Sequence, residues 1–386
     1  MLCGLIGGGV LPAAAFQPPD EIPAEVRSGL QHLIQISSNS GEDRELRVEQ
    51  IAALLDMVTA GDDLPLGSEG VGEAACAYGH FDVHCLFKDI LRIGFSPDIP
   101  SHVLMPSSVR FARWCEIEGQ PGRTLPALCP LIEGLDAPVV LRGVEYVENT
   151  PDLNSGAYYG YPLDRTLILL RHEGRLFLIS ISIQKTVSDV GRKGAVVGAD
   201  SDWNYLYSEE AGLGKPGLGW VQSHMYAGGS VTVYADLGQD RPMVRCGIFR
   251  WLRAGWASIN VVRRSHIEEG LKRYTETMRQ ILENPNLPDG DSLAAGFARI
   301  DGLSDAVLLE RTRSYFETLA ETSGAQLSSA AREWLNRLIA EGAALHLDRD
   351  RMEALLAVQY LKAILGKPTG PEVSGLATGR SRGRCG

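Results

Sequence analysis

TLILLRHEGRLFLISISI, residues 166–183, holds two runs of β-branched and large apolar residues around the polar tripeptide His172, Glu173 and Gly174. Two such runs joined by a short turn containing Gly read as a β-hairpin, and hence as part of an antiparallel sheet. In the second run, side chains alternate between faces with a period of two. Phe177, Ile179, Ile181 and Ile183 share one face, while Leu178, Ser180, Ser182 and Gln184 share the other. One face is apolar throughout and its opposite turns polar partway along. That is the pattern expected where a sheet packs on a helix or lines a cavity.

The pattern extends outward from this hairpin. HMYAGGSVTVY predicts a second hairpin turning at Gly228 and Gly229, and FRWLRAGWASI a third turning at Ala254 and Gly255. The sheet is followed by RRSHIEEGLKRYTETMRQILENP, where Ile267, Leu271, Tyr274, Met278, Ile281 and Leu282 fall on one helical stripe before Pro285. This long helix is expected to lie across the sheet. Upstream, Val26, Leu30, Leu33 and Ile34 mark one helix and Ile51, Leu54, Leu55 and Val58 another within residues 22–58. Downstream, helices are expected over 304–322, 327–342 and 349–365. The second carries the stripe Leu327, Ala331, Trp334, Leu335 and Leu338; the last opens on an Asp350 to Glu353 capping box and ends at Gly366 and Pro368. The fold class is therefore α+β: an antiparallel sheet, meander or half-barrel, covered by a long helix, with N-terminal helices and a C-terminal helical subdomain. In outline it resembles helix-grip lipid and ligand binders, a likeness of fold from which function does not follow.

The expected organisation is a signal peptide over 1–15, a helical segment and linker over 16–73, a central β domain with its closing helix over 74–285, a helical subdomain over 286–366 and a tail over 367–386. The start, MLCGLIGGGVLPAAAFQPPDE, has an apolar run and small residues of a secretory leader with a cut after Ala15, although no Lys or Arg precedes the run. A periplasmic or secreted location follows as an expectation. No stretch approaches the 18 or so uncharged apolar residues of a membrane span. With Cys3 removed, Cys76, Cys85, Cys115, Cys129, Cys246 and Cys385 form an even set, and the pairs nearest in sequence are Cys76 with Cys85 and Cys115 with Cys129. Buried free thiols are the alternative.

A composition of 44% hydrophobic and 22% charged residues is that of a globular chain. Net charge is −11, and residues 20–75 hold 12 Asp and Glu against 3 Arg. That acidic face repels phosphate backbones and argues against nucleic acid as a partner. Arg380, Arg382 and Arg384 belong to the tail.

Three constellations carry candidate chemistry. In GHFDVHC, His80, Asp82 and His84 leave one face of a strand, and two imidazoles with a carboxylate suit a divalent metal, with His102 as a fourth ligand. In ADSDWNYLYSEE, Asp200, Asp202 and Asn204 resemble the first half of a calcium loop with Glu209 or Glu210 downstream, but Tyr205 stands where the EF-hand turn needs Gly. Of the 18 Trp and Tyr, 12 lie between Tyr146 and Trp256, and Tyr159, Tyr161, Trp203, Tyr205 and Trp220 are candidates for an aromatic ligand surface. Strand propensity alone also enriches aromatics. GRKGAVVGAD and GLGKPGLG lack phosphate-loop spacing and read as surface loops. No G-x-S-x-G or H-E-x-x-H occurs, and Ser182 and Lys185 of the one S-x-x-K face opposite ways.

The sequence therefore points to an exported protein that binds an apolar or amphipathic ligand, or an envelope partner, through its aromatic-rich sheet. It predicts no cofactor beyond a divalent metal at His80, Asp82 and His84, which would make the chain a metal-dependent hydrolase. A purely structural role, with the helices after residue 303 as a homodimerisation element, is the third reading.

Overall fold

The computed structural model describes residues 16–38, 44–64, 66, 74–153, 155–215, 219–238, 241–323 and 347–369, with five helical residues between 332 and 340. The expected leader, the stripe from Leu327 to Leu338, Cys385 and the tail arginines lie outside the described residues. The strands are β1 (Ala75–Val83), β2 (Val109–Ile117), β3 (Val139–Asn149), β4 (Ala157–Tyr158), β5 (Gly160–His172), β6 (Arg175–Gln184), β7 (Arg192–Val196), β8 (Tyr205–Ala211), β9 (Leu213–Lys215), β10 (Gly219–Val221), β11 (Ser223–Asp236), β12 (Val244–Trp256) and β13 (Ile259–Asn260). The principal helices are α1 (Ala24–Ser38), α2 (Val48–Ala60), α3 (Arg264–Leu282), α4 (Gly290–Asp301), α5 (Asp305–Ser323) and α6 (Arg349–Ile364).

The hairpin of residues 160–184 forms as its sequence dictates. Glu173 (φ 49°) and Gly174 (φ 78°) both sit in the left-handed region that a tight two-residue hairpin turn requires. β5 and β6 are central strands of an antiparallel sheet ordered β1-β12-β11-β6-β5-β3-β2, with β13 paired to β12. Apart from β1, which adds beside β12, successive long strands are neighbours, so the sheet is a meander. It is α+β, as expected.

The two faces are covered differently. Phe177, Ile179, Ile181 and Ile183 pack with Val231, Val233, Phe249 and Trp251 beneath α1 and α2, whose Leu30, Leu33, Leu54 and Val58 are fully buried. Each such side chain contributes about 1.5–3 kcal/mol by leaving water. The opposite face takes α3 and the C-terminal helices, with Met278 and Ile281 of α3 and Leu356 and Leu361 of α6 at 0% exposure. The expected N-terminal, central and C-terminal segments thus share cores with one sheet.

Several turns and ends differ from expectation, each for a physical reason. β11 runs straight through Gly228 and Gly229 with a bulge between Met225 and Ala227. These glycines serve close approach: a Cβ on Gly229 would lie 2.7 Å from the ring of Phe16, and one on Gly228 would lie 3.1 Å from Gln184 Oε1. β12 likewise continues past Ala254 and Gly255, and the turn falls at Ala257 and Ser258, both at positive φ. GRKGAVVGAD supplies β7 of a three-stranded sheet ordered β4-β7-β8, and GLGKPGLG supplies parts of the β9–β10 hairpin, so neither is an unstructured loop. Helix α4 was not anticipated, although its Asp289 cap accepts a hydrogen bond from Ser292 N (2.9 Å) and Leu293, Phe297 and Ile300 are buried at helical spacing. The cap of α6 is Asp348, which accepts from Arg351 N (3.0 Å), two residues before the expected Asp350.

Neither of the cysteine pairs nearest in sequence is bridged, so the alternative of free thiols is the one found. Cys76, Cys85, Cys115, Cys129 and Cys246 are free thiols. Cys76 lies near the start of β1 and Cys85 just beyond its end, and nine residues of extended chain separate them by about 30 Å. Burial raises both thiols to a pKa of about 12. No helix among the described residues is long and apolar enough to cross a membrane.

Candidate functional site

The face of the sheet under α3 changes character along its strands. One row of cross-strand neighbours, Leu169, Leu178, Tyr234, Cys246 and Phe81, is apolar throughout. The next row on the same face is Leu167, Ser180, Thr232, Ile248 and Gly79. The one after it is Arg165, Ser182, Ser230, Arg250 and Ala77. Small hydroxyl side chains thus replace bulky ones at the centre of the sheet, and α3 changes in step. Its Met278 and Ile281 press on the apolar rows, whereas Gly270 lines the same cavity as the polar ones, and a Cβ there would meet no atom within 4 Å. Short side chains on the sheet and a glycine on the helix leave a cavity of about 290 Å³ between sheet and helix.

The cavity is amphipathic. Val147, Leu163, Met225, Leu252, Ile267 and Leu271 form apolar walls, and Ser180, Ser182, Ser230 and Thr232 form a hydroxyl floor. At one end the Tyr234 and Tyr274 hydroxyls meet at 2.9 Å, one from the sheet and one from α3. Three arginines line it. Arg165 donates to Ser182 Oγ, and its Nε lies 3.6 Å from the carboxylate of Glu145, which is itself buried and accepts from Ser101 Oγ at 3.1 Å. Arg273 is held by both oxygens of Asp200, each at 2.7 Å, and donates to Ser107 O at 2.8 Å. Arg250 lines the cavity together with Tyr161, and among the described residues it makes no ion pair. Burial raises the pKa of Tyr161 while the Arg250 guanidinium pulls it down, so the phenol stays neutral at physiological pH.

Of the aromatic candidates, Tyr161 alone lines this cavity. Tyr159 is buried beside it, with its hydroxyl 3.1 Å from Ser223 Oγ. Trp203 and Tyr205 are 2% and 5% exposed; they line a narrow crevice of about 50 Å³ against Tyr315 and Phe316, and the Tyr205 hydroxyl is 2.9 Å from Asp200. They are core residues. The side chain of Trp220 lies outside the described residues.

The metal candidates are placed on the other side of the sheet and serve as a clamp. Asp82 accepts from Arg245 Nε (2.6 Å) and Nη2 (2.8 Å), and Arg245 Nη1 also donates to Thr59 O in the last turn of α2 (2.9 Å). The pair holds the Asp82 carboxyl below the usual carboxylate range. His80 Nε2 is 3.1 Å from Asp63, while His84 lies beyond the strand end, exposed, with its backbone N–H bonded to Glu283. His102 is buried elsewhere, its Nε2 3.3 Å from Ala354 O, and burial lowers its pKa to about 4. These four are not brought together as ligands. Among the described residues, Asp56, His172 and Glu173 are the one trio of such groups in mutual reach, where the β5–β6 turn meets α2.

Four of the five calcium-loop candidates are occupied by cations of the chain. Asp200 pairs with Arg273, Asn204 Oδ1 accepts from the buried Lys362 (2.6 Å), Glu209 pairs with Arg192 (2.6 Å) and Glu210 with Lys193 (2.7 Å). Burial lowers the pKa of Lys362 to about 8. Arg165, Ser230, Thr232, Arg250 and Gly270 escaped the sequence reading. The signal that could have found them was the switch from Leu178 to Ser180 and Ser182 on a strand whose other face stays apolar. Comparison with protein families, curated proteins and solved structures finds no match.

Proposed function

We propose that this protein binds a small amphipathic molecule in the cavity between α3 and the sheet. The observation that carries the proposal is the coincidence of Ser180, Ser182, Ser230 and Thr232 with Gly270 of α3 in the lining of one cavity, flanked by apolar walls. Ligand sites have this composition: mostly apolar walls, a few placed polar groups, and a volume that begins at about 300 Å³. The cavity also lies between two rigid elements, so the walls are held in place before a ligand arrives. The leader-like N-terminus supports an encounter outside the cytoplasm.

The test is to titrate the full chain with an environment-sensitive fluorescent amphipath and to extract the purified protein with organic solvent for mass spectrometry. Saturable uptake near one equivalent is expected, lost in Gly270→Leu and kept in Leu86→Asn, a change at an exposed position remote from the cavity. Uptake that is unaffected by Gly270→Leu would sink the proposal.

A further inference from the structure

Resting on that cavity as the binding site, we infer that its ligand carries an anionic head, a carboxylate or comparable oxyanion, read by Arg250. The charges that face the cavity lead to this assignment one by one. Arg273 is neutralised by two hydrogen bonds from its guanidinium to Asp200. Arg165 has Glu145 beside it. Asp152, at the rim, accepts from Ser155 N (2.7 Å) and Ser155 Oγ (2.9 Å) and so caps its own turn. His266, also at the rim, accepts from Arg263 N through Nδ1 (3.3 Å). Arg250 alone of the three makes no ion pair among the described residues, and it shares the cavity lining with the neutral phenol of Tyr161.

Its place in the sheet suits the role. Arg165, Ser182, Ser230 and Arg250 are consecutive cross-strand partners, so two hydroxyls separate the guanidiniums along one row. A strand spacing of about 4.8 Å puts the two arginine Cα atoms about 14 Å apart, with Ser230 beside Arg250 as a further donor. An oxyanion set on Arg250 would take a charge-assisted hydrogen bond in a partly sheltered cleft. The apolar walls formed by Leu252, Ile267 and Leu271 would then receive an aliphatic or aromatic tail. An alcohol of the same tail fits the walls but brings no charge to the guanidinium.

The experiment is calorimetric titration of the full chain with matched straight-chain acids and alcohols, from hexyl to dodecyl. A hydrogen bond to a charged group is worth enough to favour the acid by about ten- to a hundred-fold over the alcohol of equal length. In Arg250→Met that preference is expected to collapse to about two-fold through loss of acid affinity, while Arg250→Lys, which keeps the charge, keeps most of it. Acid and alcohol binding alike to the unaltered protein would overturn the anionic head and leave the cavity as the binding site. A preference that survives in Arg250→Met would overturn the assignment to Arg250. If no member of either series binds, the cavity reading itself falls. The ratio in the unaltered protein decides the first point without relying on any variant to fold.

Discussion

Gly270→Ala should make the protein more stable, because nothing in the folded state stands where the new methyl goes. Gly270 lies inside α3 as its seventh residue, and its Cβ position meets no atom within 4 Å. Glycine inside a helix is less favourable than alanine by about 0.8–1 kcal/mol, so the expected gain is about 1 kcal/mol. Gly270→Leu should gain a similar amount from helix propensity and more from burial against the apolar walls. Its four carbons, each about the ~30 Å³ share of a liquid water, would take on the order of 120 Å³, a large part of the 290 Å³ present. Unfolding in urea, followed by the fluorescence of the buried Trp203 and Trp251, gives both free energies. For a chain of 386 residues a change of 1 kcal/mol moves the thermal midpoint by only about 1 °C, which makes the chemical melt the better assay. A loss of more than about 1 kcal/mol in either variant would mean that α3 sits down on Ser230 and Thr232 and no cavity exists.

Two further predictions concern groups outside the cavity. His102 is neutral when folded, with a pKa near 4, and titrates near 6.5 when unfolded, so the unfolded chain alone takes up a proton between those values. Stability therefore falls as pH drops through that window, by about 2 kcal/mol between pH 7 and pH 5 from this group; His102→Gln should flatten that fall, and an unchanged slope in urea melts at the two pH values would refute it. Asp82→Asn removes the carboxylate that both anchors Arg245 and fixes the end of α2 to the sheet, and should cost about 1–2 kcal/mol given the partial exposure of the pair. Added zinc should leave the midpoint of the unaltered protein where it is, whereas a rise of several degrees that His80→Ala abolishes would restore a metal site there.

What the sequence disclosed was whatever depends on local period. The stripes of α1, α2 and α3, the β5–β6 turn and the two faces of β6 were legible because each is written in consecutive residues. What it hid depends on partners far along the chain. Gly228 and Gly229 look like a turn until Phe16, more than 200 residues away, occupies the space over Gly229. Arg165 and Arg250 are unremarkable in sequence and become a pair only through the register of β5, β6, β11 and β12. His80 and Asp82 do share a face, as the period of two requires, but it is the face under α2, and Arg245 takes the carboxylate. The aromatic run between Tyr146 and Trp256 reflects strands and core, and Trp203 and Tyr205 fill space against α5 and α6 rather than standing open to a ligand.

The contrast between the two faces of β6 is the strongest reason to regard the cavity as selected for use. On the α1 and α2 side, four successive positions carry Phe177, Ile179, Ile181 and Ile183, all 2% exposed or less. The same strand, on the α3 side, starts with the equally buried Leu178 and then gives up apolar bulk at Ser180 and Ser182, which are 4% and 3% exposed. Leucine or isoleucine at those two positions would bury more carbon at about 25 cal/mol per Å², and the strand already shows that it accommodates them. The neighbouring strand repeats the choice with Ser230 and Thr232, and α3 repeats it with Gly270. Three elements that meet only in the folded state each forgo stability at the same place. A ligand that binds the folded state alone returns that stability by RT ln(1 + [L]/Kd), about 2.7 kcal/mol at a hundred-fold excess over Kd. A cognate ligand should therefore raise the urea midpoint of the unaltered protein and leave that of Gly270→Leu unmoved.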